Sequence, residues 1–232
     1  MRVRDVGKLL IGLAVAAAAV VVPVSAASAA TVTIVTDAGS ASFVAGDNAS
    51  STPVAIDPGV TVSDDAALTI NSATVEITGN FAMGQDVLAF TNDGSTMGNI
   101  AASYDATTGV LTLTSAGWTA TLAQLQSALR SITYTDTAVT PDTSTRTVSF
   151  SFIDAAANPS NTATHDVTVT ATDQSPIVST TGGTTNYVGG TSAVTIDSGV
   201  TVSDLDNATQ SSAAVSITAG FHSGDTLSFV NT

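Results

Sequence analysis

The sequence of 232 residues contains no cysteine and only five basic residues, against 19 acidic ones. Because no disulfide can form, stability must come from an apolar core or from bound ions. A formal net charge of −14 leaves few cations to neutralise a phosphate backbone, which excludes nucleic acid as a partner. The same shortage of positive charge disfavours binding to an anionic membrane surface.

Residue types that carry out catalysis are also scarce. Glu76 is the only glutamate, so a glycosidase site built on two glutamates is absent. His165 and His222 are the only histidines, and no zinc-ligand cluster or glycine-rich phosphate loop stands out. His165 belongs to an alternating segment and is expected to face solvent or enter a hydrogen bond. The sequence therefore predicts a protein that is not an enzyme.

The amino-terminal segment has the pattern of a signal peptide. Three basic residues within the first eight positions precede an apolar run over residues 9–22, and a small-residue cleavage site follows at residues 27–29. The apolar run is too short to span a bilayer comfortably, although an uncleaved anchor is the alternative. We therefore expect residues 1–29 to be removed, leaving a secreted, extracellular or cell-surface protein with no membrane span in its mature chain.

One long segment occurs twice in the chain. Residues 54–92 recur as residues 194–231 when Gln85 is skipped, and both copies carry I-D-x-G-V-T-V-S-D and later D-x-L-x-F. Such a long period indicates tandem copies of a whole domain. We expect residues 30–175 to form a complete domain and residues 176–232 to form the truncated start of a second one.

Short alternating segments separated by turn residues predict an all-β fold. Residues 100–104 and 110–114 flank a turn that ends in glycine, which is typical of a hairpin. Residues 146–153 and 162–171 are the longest alternating segments and should pair. Turns every eight to twelve residues predict an antiparallel immunoglobulin-like or cadherin-like β-sandwich.

One short helix should interrupt the strands. Thr121 and Gln124 have the spacing of a capping box, and Leu125 and Leu129 then share one helical face. Trp118, the only tryptophan, directly precedes this helix. We expect it to pack the helix onto the sandwich, with stacking on a sugar as the alternative.

Several stretches resemble a known family of surface proteins. TLAQLQSALRSITYTD, PDTSTRTVSFSFID and TVTATDQSP occur in that order after the first repeated segment. Together they resemble the cadherin-like or immunoglobulin-like tandem repeats of large bacterial surface adhesins, and they are also similar to chondroitin sulfate proteoglycan repeats. The resemblance covers residues 40–232 and implies a sandwich rigidified by calcium at the junctions between repeats.

The chain has oxygen ligands that suit such a calcium site. Calcium binds six to eight oxygens, usually including several carboxylates. We expect the ligands to converge at one end of a sandwich, and the candidates are Asp64, Asp65, Asp154, Asp173, Asp204, Asp206 and Asn207. The alternative is that each aspartate caps its own turn, which is the better explanation for Asp57 and Asp197.

These observations predict a non-catalytic extracellular structural or adhesive repeat of a bacterial surface or secreted protein. Its partners would be neighbouring repeats of the same or a longer chain, and glycans or proteins of a cell surface or matrix. The alternative is a carbohydrate-binding or accessory module of a secreted enzyme, built on the same sandwich. The fold alone does not decide between them.

Overall fold

Strands account for nearly all the regular structure in the computed structural model, which describes residues 31–66 and 68–230. Within these residues, one α-helix, α1 (Leu122–Arg130), and one 3₁₀ turn (Ala116–Trp118) interrupt the strands. The strands are β1 (Val32–Val35), β2 (Ser40–Val44), β3 (Val54–Ala55), β4 (Thr61–Asp64), β5 (Ile70–Gly79), β6 (Asp86–Ala89), β7 (Ile100–Asp105), β8 (Val110–Ser115), β9 (Thr133–Asp136), β10 (Arg146–Asp154), β11 (Ala163–Thr170), β12 (Ile177–Ser179) and β13 (Thr201–Ser203). The predicted all-β fold is therefore confirmed.

The predicted signal segment, residues 1–29, lies outside the described residues. Among the residues that the structure does describe, no helix is long and apolar enough to cross a membrane.

The largest sheet has six strands in the order β2-β11-β10-β5-β8-β7. Its central strand β5 alternates as the sequence predicts, with Ala73, Val75 and Ile77 buried and the residues between them less so. Alternation with a period of two places these side chains on one face, where they meet the core. All neighbouring strands are antiparallel except β2 and β11, which are parallel.

Two predicted strand pairs are confirmed in this sheet. Strands β10 and β11 pair antiparallel, from Arg146 opposite Val167 to Phe150 opposite Ala163. Strands β7 and β8 form the predicted hairpin, whose turn ends at Gly109 with a φ of 75°. A left-handed backbone at that position favours glycine because a Cβ would be strained there.

A second group of strands covers the apolar face of the large sheet. It consists of the three-stranded sheet β3-β9-β6 and the antiparallel pair β1-β4. Their buried residues Ile34, Leu88 and Tyr134 belong to the same apolar cluster as Phe43 and Phe150 of the large sheet. The Tyr134 and Phe43 rings pack in a T-shaped arrangement, with ring centroids 5.3 Å apart. One shared core therefore holds the two groups of strands together.

Helix α1 begins with the predicted capping box. The Thr121 hydroxyl accepts from Gln124 N, and Gln124 Oε1 accepts from Thr121 N at 2.9 Å. Leu125 and Leu129 are fully buried, as their spacing predicts. The expectation for Trp118 is wrong, because this residue is 53% exposed and sits in a left-handed turn instead of packing the helix onto the sheets.

Residues 177–203, which run into the second copy of the repeated segment, reproduce one ladder of the first part of the chain. Val178 of β12 pairs with Val202 of β13, as Ile34 of β1 pairs with Val62 of β4. Later apolar residues of this copy, such as Phe229, are exposed. No residue beyond position 169 belongs to the buried apolar cluster of the described residues.

Candidate functional site

The seven predicted calcium ligands lie at two ends of the large sheet. Strand β10 ends at Asp154, whereas β11 runs antiparallel to β10 and ends at Thr170, shortly before Asp173. Asp154 and Asp173 are therefore at opposite ends of the sheet. The expectation that they converge is wrong, because it ignored the direction in which the paired strands run.

Asp64, Asp65 and Asp154 belong to the first of these ends. Asp64 accepts from Ala66 N at 2.8 Å and from Leu68 N at 3.0 Å, so it caps the turn that follows β4. Asp65 Oδ1 accepts from Thr31 N at 2.8 Å and anchors the residue before β1. Both carboxylates therefore have roles in organising local backbone.

Asp154 is fully buried and organises the loop after β10. Its Oδ1 accepts from Ala156 N and Asn158 N, at 2.9 and 2.8 Å, and its Oδ2 accepts from Asn158 Nδ2 at 2.8 Å. Burial opposes ionisation, but the hydrogen bonds from Asn158 and Ala156 outweigh it and hold the pKa of Asp154 below its ordinary value. This carboxylate already has three protein donors.

The other four predicted ligands meet at the joint that follows β11. Asn207 Nδ2 donates to Asp173 Oδ1 at 3.2 Å and to Asp206 Oδ1 at 2.9 Å. Asp204 Oδ1 accepts from the backbone N–H groups of Asp206 and Asn207, at 3.2 and 3.1 Å. Asp206 Oδ2 also accepts from Gln174 N at 3.0 Å. The turn after β13 is thus tied to the segment that leaves β11.

Asp47, which is not among the predicted ligands, also belongs to this group. It accepts from Ser175 N at 2.7 Å and from Ser175 Oγ at 2.6 Å. The backbone and hydroxyl donors of Ser175 lower the pKa of Asp47, while burial and the charge of Asp204 act in the opposite direction. The neighbouring Asn48 N donates to Gln174 Oε1 at 2.7 Å. We call Asp47, Asp173, Asp204, Asp206 and Asn207 the joint cluster.

A separate group of side chains has the composition of a metal centre. His165 Nδ1 lies 3.6 Å from Asp37 Oδ1 and 3.8 Å from Asp57 Oδ2. Asp57 is fully buried and His165 is 5% exposed, whereas the Asp37 side chain is 46% exposed. The three ligand atoms lie within 4.8 Å of one another, so this group could hold a metal ion.

Three segments far apart in the sequence bring this group together. Asp37 follows β1, and Asp57 precedes the turn into β4, where its Oδ1 accepts from Gly59 N at 2.9 Å. That hydrogen bond confirms the predicted turn role of Asp57. His165 lies on β11 and shares the buried face of Val167 and Val169.

The prediction that His165 faces solvent is wrong, because only 5% of this residue is exposed. Its side chain is buried, and its Nδ1 has no hydrogen-bond partner within the described residues. The sequence itself indicates this burial. His165, Val167 and Val169 stand two positions apart in an alternating strand, so their side chains share one face.

A third group of buried charges surrounds Arg146. Its guanidinium lies 3.0 Å from Asp86 Oδ2 and 3.3 Å from Asp136 Oδ2, and all three side chains are inaccessible to solvent. The buried Tyr134 donates its hydroxyl to Asp86 Oδ1 at 2.6 Å. A substrate cannot reach these groups, so their arrangement is structural.

A surface depression opens onto the three-residue metal group. Its lining includes Asp37, Gly39, Ser40, Pro58 and His165.

No protein-family model matches the chain, and a search of curated proteins found no match either.

Proposed function

We propose that this protein is a non-catalytic extracellular structural and adhesive repeat of a bacterial surface or secreted protein, with the immunoglobulin-like or cadherin-like sandwich that its sequence predicts. Calcium at the joint cluster would rigidify the connection between consecutive repeats. The observation that carries the proposal is the meeting of Asp47 and Asp173 with Asp204 and Asp206 of the second copy.

Charge supports a cation at this joint. Four carboxylates lie in this region, and the only basic residues after position 8 are Arg130 and Arg146. Arg146 is buried and paired with Asp86, and Arg130 Nε donates to the Val60 carbonyl at 2.9 Å. Like charges near one another repel unless a counter-ion is present, and carboxylate and amide oxygens are the ligands that calcium prefers.

The mechanical consequence follows from where the ligands lie. Asp47 and Asp173 belong to the end of the first domain, whereas Asp204 and Asp206 follow β13 of the second copy. An ion bound to both sets would fix the orientation of one repeat relative to the next. A series of such joints would make an extended rod that presents glycan-binding or protein-binding surfaces away from a cell.

The test is thermal unfolding of the full chain in millimolar calcium and in chelator, together with small-angle scattering. We expect calcium to raise the melting temperature by roughly 2–4 °C for each kcal/mol of binding free energy and to reduce the spread of particle dimensions. Asp206→Asn should abolish most of both effects. Asp64→Asn is the matched control, since Asp64 is the counterpart of Asp204 at the opposite end of the domain. Equal calcium responses in the two variants would refute the proposal.

An exposed aromatic residue favours the alternative function, a carbohydrate-binding module. Trp118 is 53% exposed and is held by a turn with positive φ at both Gly117 and Trp118. An exposed indole offers a flat face on which a sugar ring stacks. Binding on a glycan array that is lost in Trp118→Ala but kept in Tyr187→Ala, another exposed aromatic, would support it. Absence of glycan binding by the wild type would leave the structural repeat as the better account.

A further inference from the structure

We propose that Asp37, Asp57 and His165 form a binding site for a divalent transition-metal cation of the zinc class, distinct from the joint cluster and independent of calcium there. One nitrogen and two carboxylate oxygens, with a fourth position open to water, is a ligand set that suits such an ion. Calcium and magnesium instead take oxygen ligands.

The spacing of the ligand atoms suits an intervening ion better than direct hydrogen bonds. His165 Nδ1 is 3.6 Å from Asp37 Oδ1 and 3.8 Å from Asp57 Oδ2, and both distances exceed the usual 2.7–3.2 Å range of an N–H···O bond. An ion about 2.0–2.2 Å from each ligand holds neighbouring ligand atoms about 3.4 Å apart in a tetrahedral arrangement. The two distances from His165 Nδ1 need to shorten by only a few tenths of an ångström to match this spacing, and all three ligand atoms lie within 4.8 Å of one another.

The histidine supplies the observation that points to a ligand. His165 is 5% exposed, and its Nδ1 is the only buried side-chain nitrogen or oxygen without a hydrogen-bond partner in the described part of the chain. Buried polar atoms are nearly always satisfied, because leaving one unpaired costs its lost hydration. This atom faces the two carboxylates, so coordination to a shared cation would satisfy it.

Asp57 is oriented by the backbone in the way that ligating carboxylates are. Its Oδ1 accepts from Gly59 N at 2.9 Å and its Oδ2 accepts from Asp37 N at 3.1 Å. Such hydrogen bonds around a metal fix the direction of the ligand atoms. Asp37 is half exposed and borders the surface depression, which gives an ion a path of entry and a water ligand.

The second copy shows the same turn without this site. Thr181 takes the place of Asp37: its N–H and hydroxyl donate to Asp197 at 2.9 and 2.7 Å, where Asp197 corresponds to Asp57. A direct hydrogen bond from a neutral hydroxyl thus replaces the second carboxylate. Asp37→Thr therefore removes one carboxylate and introduces the residue type that already occupies the corresponding position beside Asp197.

The test is titration of the full chain with zinc chloride by calorimetry, and with Co²⁺ followed by visible absorption. Calcium is present in large excess throughout to occupy oxygen-only sites. We expect one strong site, a Co²⁺ spectrum with nitrogen ligation, and a rise in melting temperature on metal binding. Asp37→Thr and His165→Gln should each weaken binding at least tenfold and remove the Co²⁺ bands.

Two control variants distinguish zinc binding at this site from nonspecific attraction of cations to an acidic surface. Asp166→Asn removes one negative charge from the residue next to His165, and His222→Ala removes the only other imidazole. Both should bind zinc like the wild type. Circular dichroism and metal-free melting establish that each variant is folded. If folded Asp37→Thr and His165→Gln bind zinc as tightly as the wild type, or if Asp166→Asn weakens binding equally, the proposal is overturned.

Discussion

Arg146 Nε lies 3.0 Å from Asp86 Oδ2, and neither side chain is exposed to solvent. Arg146 also donates to Asp136 Oδ2 and to the carbonyl oxygens of Asp142 and Ser144. One guanidinium therefore serves two buried carboxylates and the loop that leads into β10. Buried charges persist only when they are paired and hydrogen-bonded in this way.

Replacing this arginine should destabilise the protein severely. Arg146→Met leaves Asp86 and Asp136 buried without their cation, and breaking a buried ion pair from one side costs about 3–5 kcal/mol. Denaturant unfolding measures the free energy of unfolding. Arg130→Met is the matched control: it removes one hydrogen bond to the Val60 carbonyl and should cost only about 1 kcal/mol. Similar losses in both variants would contradict the structural role of the buried group.

Asp136 should make stability depend on pH. Burial raises the pKa of Asp136 above its ordinary value of 3.8, and the charge of Asp86 adds to the rise. The folded state therefore holds this proton more tightly than the unfolded state does. The stability that the group contributes is fully present below pH 3.8 and is lost as pH rises through the higher folded-state pKa.

Two Asp→Asn variants measure this dependence. Relative to Asp136→Asn, the wild type should lose free energy of unfolding as pH rises through that window. Relative to Asp93→Asn, the wild type should instead gain free energy of unfolding as pH rises. The reason is that hydrogen bonds from Thr96 and Ser95 hold the pKa of Asp93 well below its ordinary value. The contribution of Asp93 is present above pH 3.8 and is lost as pH falls through its folded-state pKa. Parallel pH profiles for the wild type and Asp136→Asn would refute the prediction.

Removing residues 177–232 should leave the melting temperature of the remaining chain nearly unchanged. The buried apolar cluster of the described residues ends at Val169, and the hydrogen bonds named above from the second copy to the joint involve Asp206 and Asn207. Surface contacts of this kind contribute little beside a shared core. Scanning calorimetry in chelator tests this prediction, and a fall of many degrees would show that the second copy packs onto the first domain.

Gly109 should tolerate alanine less well than Gly84. Both have positive φ, 75° and 80°, so each Gly→Ala change carries a left-handed strain of roughly 1–2 kcal/mol. A Cβ at Gly109 would also lie 2.9 Å from the ring of Phe81, whereas one at Gly84 meets nothing within 4 Å. The excess cost of Gly109→Ala in denaturant unfolding therefore reports the packing of Phe81. Equal costs would mean that the ring moves freely out of the way.

Local chemistry made much of the fold predictable. The capping box at Thr121 forms because its two hydrogen bonds join residues three apart. The β7–β8 hairpin follows from a turn that ends in Gly109, and the inward face of β5 follows from a period of two. The predicted packing of Trp118 against the helix fails, because closeness in sequence does not determine where a side chain points when the backbone takes a left-handed turn.

The sequence alone determined the strand pattern, the helix start, the repeated segment and the acidic character of this protein, since each depends on neighbouring residues or on composition. Only the tertiary structure decided which charges meet. It separated Asp154 from Asp173, because β10 and β11 run in opposite directions. It also brought Asp37 to His165 across 128 positions of the sequence and Asp86 to Arg146 across 60. Such pairs depend on strand order and register, which arise from packing the whole core and not from any local pattern.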